Sequence, residues 1–221
     1  MSKFRNALAE FVFTRSYCRW VEDSERRETP DEAIDRYLNF IVSQRKMPAD
    51  VFQDMSAAVK NLDVLPSMRA LWSAGPSMAR DNLSAYNCAF LPIDCIPAFS
   101  EALYILMQGT GVGFSVERQF VSNLPTVEPL TADRTRHYVV EDSAEGWANA
   151  FKVGLTSWWC GADTVFDFSN IRPAGSRLNT KGGRASGPEP LIRLLDFAKS
   201  VVQGAGGRKL FPIEVHDIMC T

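Results

Sequence analysis

The sequence has few of the residues that build metal sites or disulfide frameworks. It contains 5 cysteines and 2 histidines in 221 residues. The cysteines form no CxxC pair and have no metal-type spacing to His137 or His216. A zinc site and a disulfide scaffold are therefore disfavoured, and we expect no metal site. Buried thiols are the ordinary expectation for such cysteines, with one or two redox-active thiols as the alternative.

Long apolar runs and an excess of one charge are also missing. No apolar run approaches the roughly 18 residues of a membrane span. Arg5, Glu10 and Arg15 interrupt the N-terminal segment, which has no small-residue cleavage site. We therefore expect a cytoplasmic protein without a membrane partner. With 24 Lys and Arg against 26 Asp and Glu, we expect no nucleic-acid partner, and any recognition of phosphate must be local.

The sequence does have the composition of an ordinary folded domain. Hydrophobic residues make up 46% and charged residues 23%, with 14 Gly and 12 Pro. This excludes a disordered, collagen-like or low-complexity chain. The length supports one large domain, or one domain with a small appendage, and does not accommodate a large multidomain enzyme.

Helix signals cover residues 1–62, for which we predict an N-terminal helical section. Thr29 precedes Pro30, and Glu32 follows, which is the pattern of a capping box with proline at the first helical position. Residues 48–50 (PAD) mark the start of a further helix. Apolar residues after the capping box recur along one helical face: Ala33, Ile34, Tyr37, Leu38 and Ile41.

Residues 63–221 alternate strands and helices, and this order predicts an α/β fold. Three predicted strands lie at 83–91, 139–140 and 164–168. A fourth predicted strand begins directly after the glycine segment 109–113. Predicted helices lie at 98–108, 144–159 and 191–203. Residues 172–190 are basic and rich in glycine, so we predict a long loop there.

Two glycine-rich segments are candidates for nucleotide binding. Residues 109–113 (GTGVG) follow a helix and precede a strand, which is the reverse of the dinucleotide fingerprint, so a Rossmann site is excluded. These glycines form either a tight turn or a surface on which a ligand's sugar and base lie against the backbone. Residues 172–190 contain no P-loop motif and form either a solvated basic loop or an anion-binding segment.

The cysteines have no catalytic signature of their own. Cys88 lies in the apolar predicted strand, where a buried packing role is the ordinary expectation. His216 and Cys220 are four residues apart on a predicted helix and are compatible with a thiol–imidazole pair. No third, orienting residue is evident from the sequence, which favours a structural role for Cys220. The packing expectation also applies to Cys18, Cys95 and Cys160.

Seven segments, taken in order, resemble the adenosylcobalamin-dependent (class II) ribonucleotide reductases. The similarity is greatest to the monomeric ribonucleoside-triphosphate reductase branch and runs along nearly the whole chain. Each segment alone is a weak signal, and their joint occurrence in the family's order is a strong one. The segments are FTRSYCRWVEDSERRET, LPSMRALWSAG, YNCAF, MQGTGVGFSVE, VVEDSAEGW, IRPAGSRLNTKGGRASGPEPL and GRKLFPIEVHDIMC.

The resemblance implies a ten-stranded α/β barrel built from two five-stranded halves. Residues 1–62 are then the N-terminal helical section, and residues 63–221 form the first half of the barrel, including the nucleotide-specificity loop. The family's thiyl-forming cysteine, the second redox cysteine and most of the cobalamin face lie beyond Thr221. We therefore expect the N-terminal half of a split enzyme, or a truncated sequence, inactive without its C-terminal half.

The resemblance also implies a chemistry and a set of site residues. A thiyl radical generated with adenosylcobalamin removes the ribose 3′-hydrogen, the 2′-hydroxyl leaves as water, and a cysteine pair supplies two electrons. A thioredoxin-like protein then reopens the disulfide, and a deoxynucleotide effector sets specificity. Cys88 corresponds to one member of the redox pair. The substrate-binding residues are Ser67, Asn87, Thr110 and Gly111. The specificity-loop residues are Arg177, Lys181, Gly182, Gly183 and Arg184.

Other functions remain open at this point. A noncatalytic nucleotide-binding or regulatory protein that keeps only the family's effector surface is the main alternative. A class I or class III reductase is a lesser rival. The sequence does not distinguish diphosphate from triphosphate substrates, although the most similar branch implies triphosphates.

Overall fold

The computed structural model describes residues 3–131, 134–178 and 183–221. The chain divides into two compact units. The first comprises Met1–Asn87 and Leu178–Gly183, and the second comprises Cys88–Arg177 and Arg184–Thr221. The helical section predicted for residues 1–62 thus lies within the first unit, which continues through residue 87.

The first unit is mainly helical. It also contains a two-stranded antiparallel sheet and short 3₁₀ turns at Glu22–Ser24 and Asn82–Ala85. Its elements are α1 (Ala7–Tyr17), β1 (Trp20–Val21), β2 (Arg26–Arg27), α2 (Pro30–Gln44), α3 (Ala49–Lys60), α4 (Met68–Ser73) and α5 (Pro76–Arg80).

Helix α2 begins at the capping box that the sequence predicts. The backbone N–H of Glu32 donates to Thr29 Oγ1 at 3.3 Å, and the N–H of Thr29 donates to Glu32 Oε2 at 2.7 Å. Two N–H groups that the first helical turn leaves unpaired are thereby satisfied. Ala33, Ile34 and Leu38, which share one helical face, are buried in the core of this unit.

A single guanidinium group connects several elements of the first unit. Arg36, on α2, donates to both carboxylate oxygens of Glu28 at 2.8 and 3.0 Å. It also donates to the carbonyl oxygens of Tyr17, Leu71 and Ala74 at 3.0, 3.1 and 2.9 Å. Arg36 and Glu28 are largely buried, so this pair satisfies polar groups that water does not reach freely.

The second unit contains two strand–helix–strand motifs with parallel strands. In the first motif the strand pairing begins with Cys88 opposite Gly111. In the second motif it begins with Thr135 opposite Asp163. A helix connects the two strands of each pair, as parallel pairing requires. The elements are β3 (Cys88–Pro92), α6 (Ile96–Met107), β4 (Gly111–Ser115), α7 (Arg118–Val121), β5 (Thr135–Val139), α8 (Ala144–Trp159), β6 (Asp163–Asp167), α9 (Glu189–Gly204) and α10 (Pro212–Cys220).

The connecting helices α6 and α8 pack together and, with α9, form the core of the second unit. Phe99 of α6 lies 5.9 Å, centroid to centroid, from the indole of Trp159 of α8. Trp159 Nε1 donates to the carbonyl oxygen of Pro125 at 3.0 Å, which satisfies the polar atom of a buried side chain. Leu155 of α8 and Leu195 of α9 are buried in the same core.

The predicted α/β class is confirmed, and the three predicted helices correspond to α6, α8 and α9. The strand predicted at 83–91 is wrong at its start, because residues 82–85 form a 3₁₀ turn that Asp81 caps through the N–H of Leu83 at 2.8 Å. Within the described part of the chain, the strands pair two by two. No described helix is long and apolar enough to cross a membrane.

The Arg36 contacts give a stability prediction for the first unit. Replacing Arg36 with Met leaves the Glu28 carboxylate and three carbonyl oxygens without their donor, so we expect a loss of about 3 kcal/mol. Asp35→Asn is the control, because it breaks an exposed pair with Lys60 and should cost less than about 1 kcal/mol. Amide hydrogen exchange in α2 measures both losses. Equal losses in the two variants would contradict the assignment.

Candidate functional site

Three of the predicted site residues lie together where β3 and β4 begin. Cys88 and Gly111 are the first residues of the two strands and are paired across the ladder. Thr110 directly precedes Gly111 and is buried. Because the strands are parallel, their N-terminal ends meet at one edge of the sheet. The structure therefore places the Cys88 thiol beside Gly111, which has no side chain.

One face of this strand pair is open. Side chains alternate along a strand, so Cys88 and Phe90 share a face with Gly111 and Gly113. Cys88 is exposed, and the side chain of Phe90 is 68% exposed. The opposite face carries residues such as Phe114, which packs against the core. The expectation that Cys88 is buried is wrong, because the paired glycines provide no side chains to cover it.

The glycines of residues 109–113 have different roles. Gly109 has φ +90° and follows the end of α6, where its N–H donates to the carbonyl of Leu106 at 2.8 Å. This left-handed conformation favours glycine and makes the tight turn into β4. A Cβ on Gly113 would lie 3.7 Å from Ala89 O, an ordinary contact. The protein's own packing therefore does not require glycine at 113, and its effect is to leave the surface beside Phe90 open.

Ser67 and Asn87 belong to the first unit. Ser67 caps α4, where its Oγ accepts from the N–H of Ala70 at 3.4 Å, and it is exposed. Asn87 is exposed and joins the first unit to Cys88 through the peptide bond between them. Ser67 therefore has a local structural role, and both side chains are accessible to a ligand.

The basic segment forms a small hairpin rather than an irregular loop over its described residues. Arg177 and Arg184 form an antiparallel bridge. The N–H of Gly175 donates to Ala185 O at 2.9 Å, and the N–H of Ala185 donates to Ser176 O at 2.7 Å. Two further predicted residues of the specificity loop, Lys181 and Gly182, lie outside the described residues.

The arginines of this segment form different polar contacts. Arg184 Nη1 donates to the carbonyl oxygen of Gly175 at 2.8 Å and so closes the hairpin from within. At its base, Arg172 forms an ion pair with Asp142, Nε to Oδ2, at 2.6 Å. Arg184 is exposed, as is Gly183, which has φ +89°. The segment thus presents positive charge on a backbone of fixed local geometry.

Cys18 has a different environment from Cys88. It is 2% exposed in the core of the first unit, and burial raises the pKa of its thiol to about 11. At neutral pH it is therefore protonated and shielded, which fits the packing role expected from the sequence. Cys88 is the more accessible of the two thiols.

Phe90 is also part of the open face, although the sequence did not predict it as a site residue. Its aromatic ring stands two residues after Cys88 and lies beside Gly113. The available signal was the alternation of side chains along β3 together with the two glycines of β4. The alternation shows that Phe90 and Gly113 share a face only when the pairing register of β3 and β4 is known.

Residues 1–76 match the family model described as ribonucleotide reductase alpha domain, and residues 120–202 match the one described as B12-dependent ribonucleotide reductase, insertion domain. Together these ranges take in more than half of the chain. The chain is similar to ribonucleotide reductases in both ranges, and to the B12-dependent ones in the second.

Individual relatives agree with this assignment. The chain is 29% identical to the adenosylcobalamin-dependent ribonucleoside-triphosphate reductase of Euglena gracilis, over 97% of this chain and 32% of the relative. It is 28% identical to the enzyme of the same name from Lactobacillus leichmannii, over 96% of this chain and 38% of the relative. The chain thus spans about a third of the length of these relatives.

A crystal structure of a B12-dependent (class II) ribonucleotide reductase matches the fold with a TM-score of 0.77. The sequences are 25% identical, and the match covers 95% of this chain and 39% of that structure. This agrees with the expected N-terminal part of a reductase α/β barrel. The insertion-domain range 120–202 contains the basic hairpin, whereas β3 and β4 precede it.

The two relatives named above are described as adenosylcobalamin-dependent. Among the residues that the structure describes, no three or more His, Cys, Asp or Glu side chains are grouped to hold a metal ion. The two histidines, His137 on β5 and His216 on α10, stand on separate elements. Cobalamin carries its cobalt in a corrin ring, so its binding does not require such a ligand cluster from the protein.

The separate glycine roles give a direct prediction. Gly109→Ala forces a side chain into a left-handed conformation and should cost about 1 kcal/mol of stability. Gly113→Ala meets only ordinary contacts and should change stability by less than about 0.5 kcal/mol. Urea unfolding midpoints measure both effects. A larger loss for Gly113→Ala than for Gly109→Ala would contradict the assignment.

Proposed function

We propose that this chain is the N-terminal part of a thioredoxin-dependent reductase that converts ribonucleoside triphosphates to 2′-deoxyribonucleotides. The observation that carries the proposal is the exposed Cys88 thiol on the open, glycine-bearing face of β3 and β4. The sequence similarity to two ribonucleoside-triphosphate reductases supports the substrate class.

The open face suits a thiol that must reach a sugar ring. Cys88 is on a strand, which fixes its position better than a loop would. Gly111 and Gly113 leave the neighbouring strand bare on the same face. A ribose can therefore approach the backbone of β4 while one edge of the ring faces Cys88 Sγ. Phe90, further along this face, offers an apolar surface to the ligand.

In this proposal Cys88 supplies one of the two thiols consumed in each turnover. Two thiols give up two electrons and two protons, the 2′-hydroxyl leaves as water, and a disulfide forms. A thioredoxin-like dithiol then reduces the disulfide and restores both thiols. The overall change is one ribonucleotide and one dithiol converted to one deoxyribonucleotide, one disulfide and one water.

The second redox thiol comes, we propose, from outside this chain. Cys95 follows the far end of β3, and a strand of this length extends about 16 Å. A disulfide requires Cα atoms within about 7 Å. Cys18 is buried in the first unit, which also makes it unsuitable. The C-terminal part of the reductase would supply the partner thiol and most of the adenosylcobalamin site.

The remaining site residues have narrower proposed roles. Thr110 is buried, so it would contact the nucleotide mainly through its backbone, as would Gly111. Ser67 and Asn87 would offer hydroxyl and amide groups to the substrate. Residues 1–62 would form the helical section, and residues 63–221 would form the first part of the catalytic barrel with its specificity loop.

The basic hairpin is proposed to connect a deoxynucleotide effector with the substrate base. Exposed Arg177 and Arg184 can pair with phosphate. The antiparallel bridge between them fixes their spacing. Lys181 and Gly182, which lie outside the described residues, belong to the same proposed loop. Coupling of this kind requires that each nucleotide favours one arrangement of the loop.

Reconstitution tests the function. The chain is combined with a polypeptide that supplies the rest of a class II reductase, adenosylcobalamin, a dithiol and a ribonucleoside triphosphate, and deoxynucleotide is measured. We expect turnover with the native chain and a loss of at least about a thousandfold with Cys88→Ser, because the serine hydroxyl cannot donate the electrons. Cys160→Ser is the control and should retain activity.

Two outcomes would contradict this function. The first is the absence of turnover with every component present, and the second is full turnover with Cys88→Ser. Binding of deoxynucleotide to the chain without any turnover would favour the noncatalytic regulatory protein instead.

A further inference from the structure

Helix α10 carries a thiol, an imidazole and a carboxylate in sequence. Cys220 Sγ lies 3.5 Å from His216 Nε2, and His216 Nδ1 lies 3.1 Å from Asp217 Oδ1. All three side chains are exposed. The sequence indicates the Cys220–His216 pair but no orienting residue, and on that point it is wrong, because Asp217 occupies this position. A nucleophile, a base and a group that orients the base are therefore present together.

The hydrogen bonds define what each group can do. When His216 Nδ1–H donates to the Asp217 carboxylate, Nε2 directs its lone pair toward the Cys220 thiol. The imidazole can then accept the thiol proton, and the carboxylate stabilises the imidazolium that results. Activation of the thiol in this arrangement therefore depends on His216.

The imidazole is held by its surroundings. Its ring lies 6.2 Å, centroid to centroid, from the ring of Phe114. The first turn of α10 is fixed by Glu214, whose carboxylate accepts from Arg208 at 2.7 and 2.8 Å and from the N–H of Phe211 at 2.7 Å. Because the helix is anchored at its start, the spacing between His216 and Cys220 is maintained by the helical backbone.

We propose that Cys220 is a modification site at which a low-molecular-weight disulfide of the glutathione type forms a mixed disulfide. The Cys220 thiolate attacks one sulfur of the small disulfide, a new S–S bond forms, and the original S–S bond breaks. The departing sulfur takes the bonding electron pair and then the proton that His216 had accepted. Cys220 is oxidised and half of the small disulfide is reduced, so the small disulfide itself is the oxidant.

Cys160 is a matched comparison within the same unit. It is exposed, as Cys220 is, and it is the C-cap residue of α8. Among the described contacts it has no imidazole within hydrogen-bond distance. A difference in reactivity between the two thiols therefore reports the contribution of His216.

The test uses the full chain and oxidised glutathione at one neutral pH. Mass spectrometry of peptides follows the mixed disulfide at Cys220 and Cys160 over time. We expect Cys220 to react about tenfold faster than Cys160. His216→Gln should lower the Cys220 rate to the Cys160 rate, and Asp217→Asn should lower it about threefold.

Two controls make the result decisive. The Cys160 rate should be the same in all variants, and circular dichroism should show unchanged helix content, since His216 and Asp217 are exposed. Equal rates at Cys220 and Cys160 in the native chain would overturn the proposal. An unchanged Cys220 rate in His216→Gln would overturn it as well.

Discussion

The parallel pairing of β3 and β4 is the constraint on which the site depends. Helix α6 carries the chain from the end of one strand back to the start of the next, so both strands begin at the same edge. Packing of α6 against α8, through Phe99 and Trp159, holds that connection on one side of the strand pair. The opposite side is left open. Cys88 is accessible because of this arrangement and not because it lies in a loop.

Glycine has two physical functions in this arrangement. At Gly109 it permits the left-handed turn between α6 and β4. At Gly111 it leaves no side chain beside Cys88, and at Gly113 it leaves none beside Phe90. The first function makes the ladder possible, and the second makes the thiol available. A thiol that exchanges electrons with a ligand must be held rigidly and must be approached closely.

Local features of the fold were predictable from the sequence, and features that depend on pairing were not. The Thr29 capping box and the helices α6, α8 and α9 follow from patterns within a few turns of chain. The exposure of Cys88 depends on glycines that are distant in sequence and adjacent only in the ladder. The hairpin at Arg177 and Arg184 is built from backbone bonds that residue types do not specify. The role of Cys88 was inferred from family resemblance rather than from pattern.

We propose that Cys88 gives up its thiol electrons to the substrate. The most direct measurement is a single turnover of the reconstituted reductase without any external dithiol, followed by disulfide mapping. The account predicts that Cys88 enters a disulfide with a cysteine of the C-terminal part, in an amount equal to the deoxynucleotide formed. Formation of deoxynucleotide while Cys88 remains a free thiol would contradict the account.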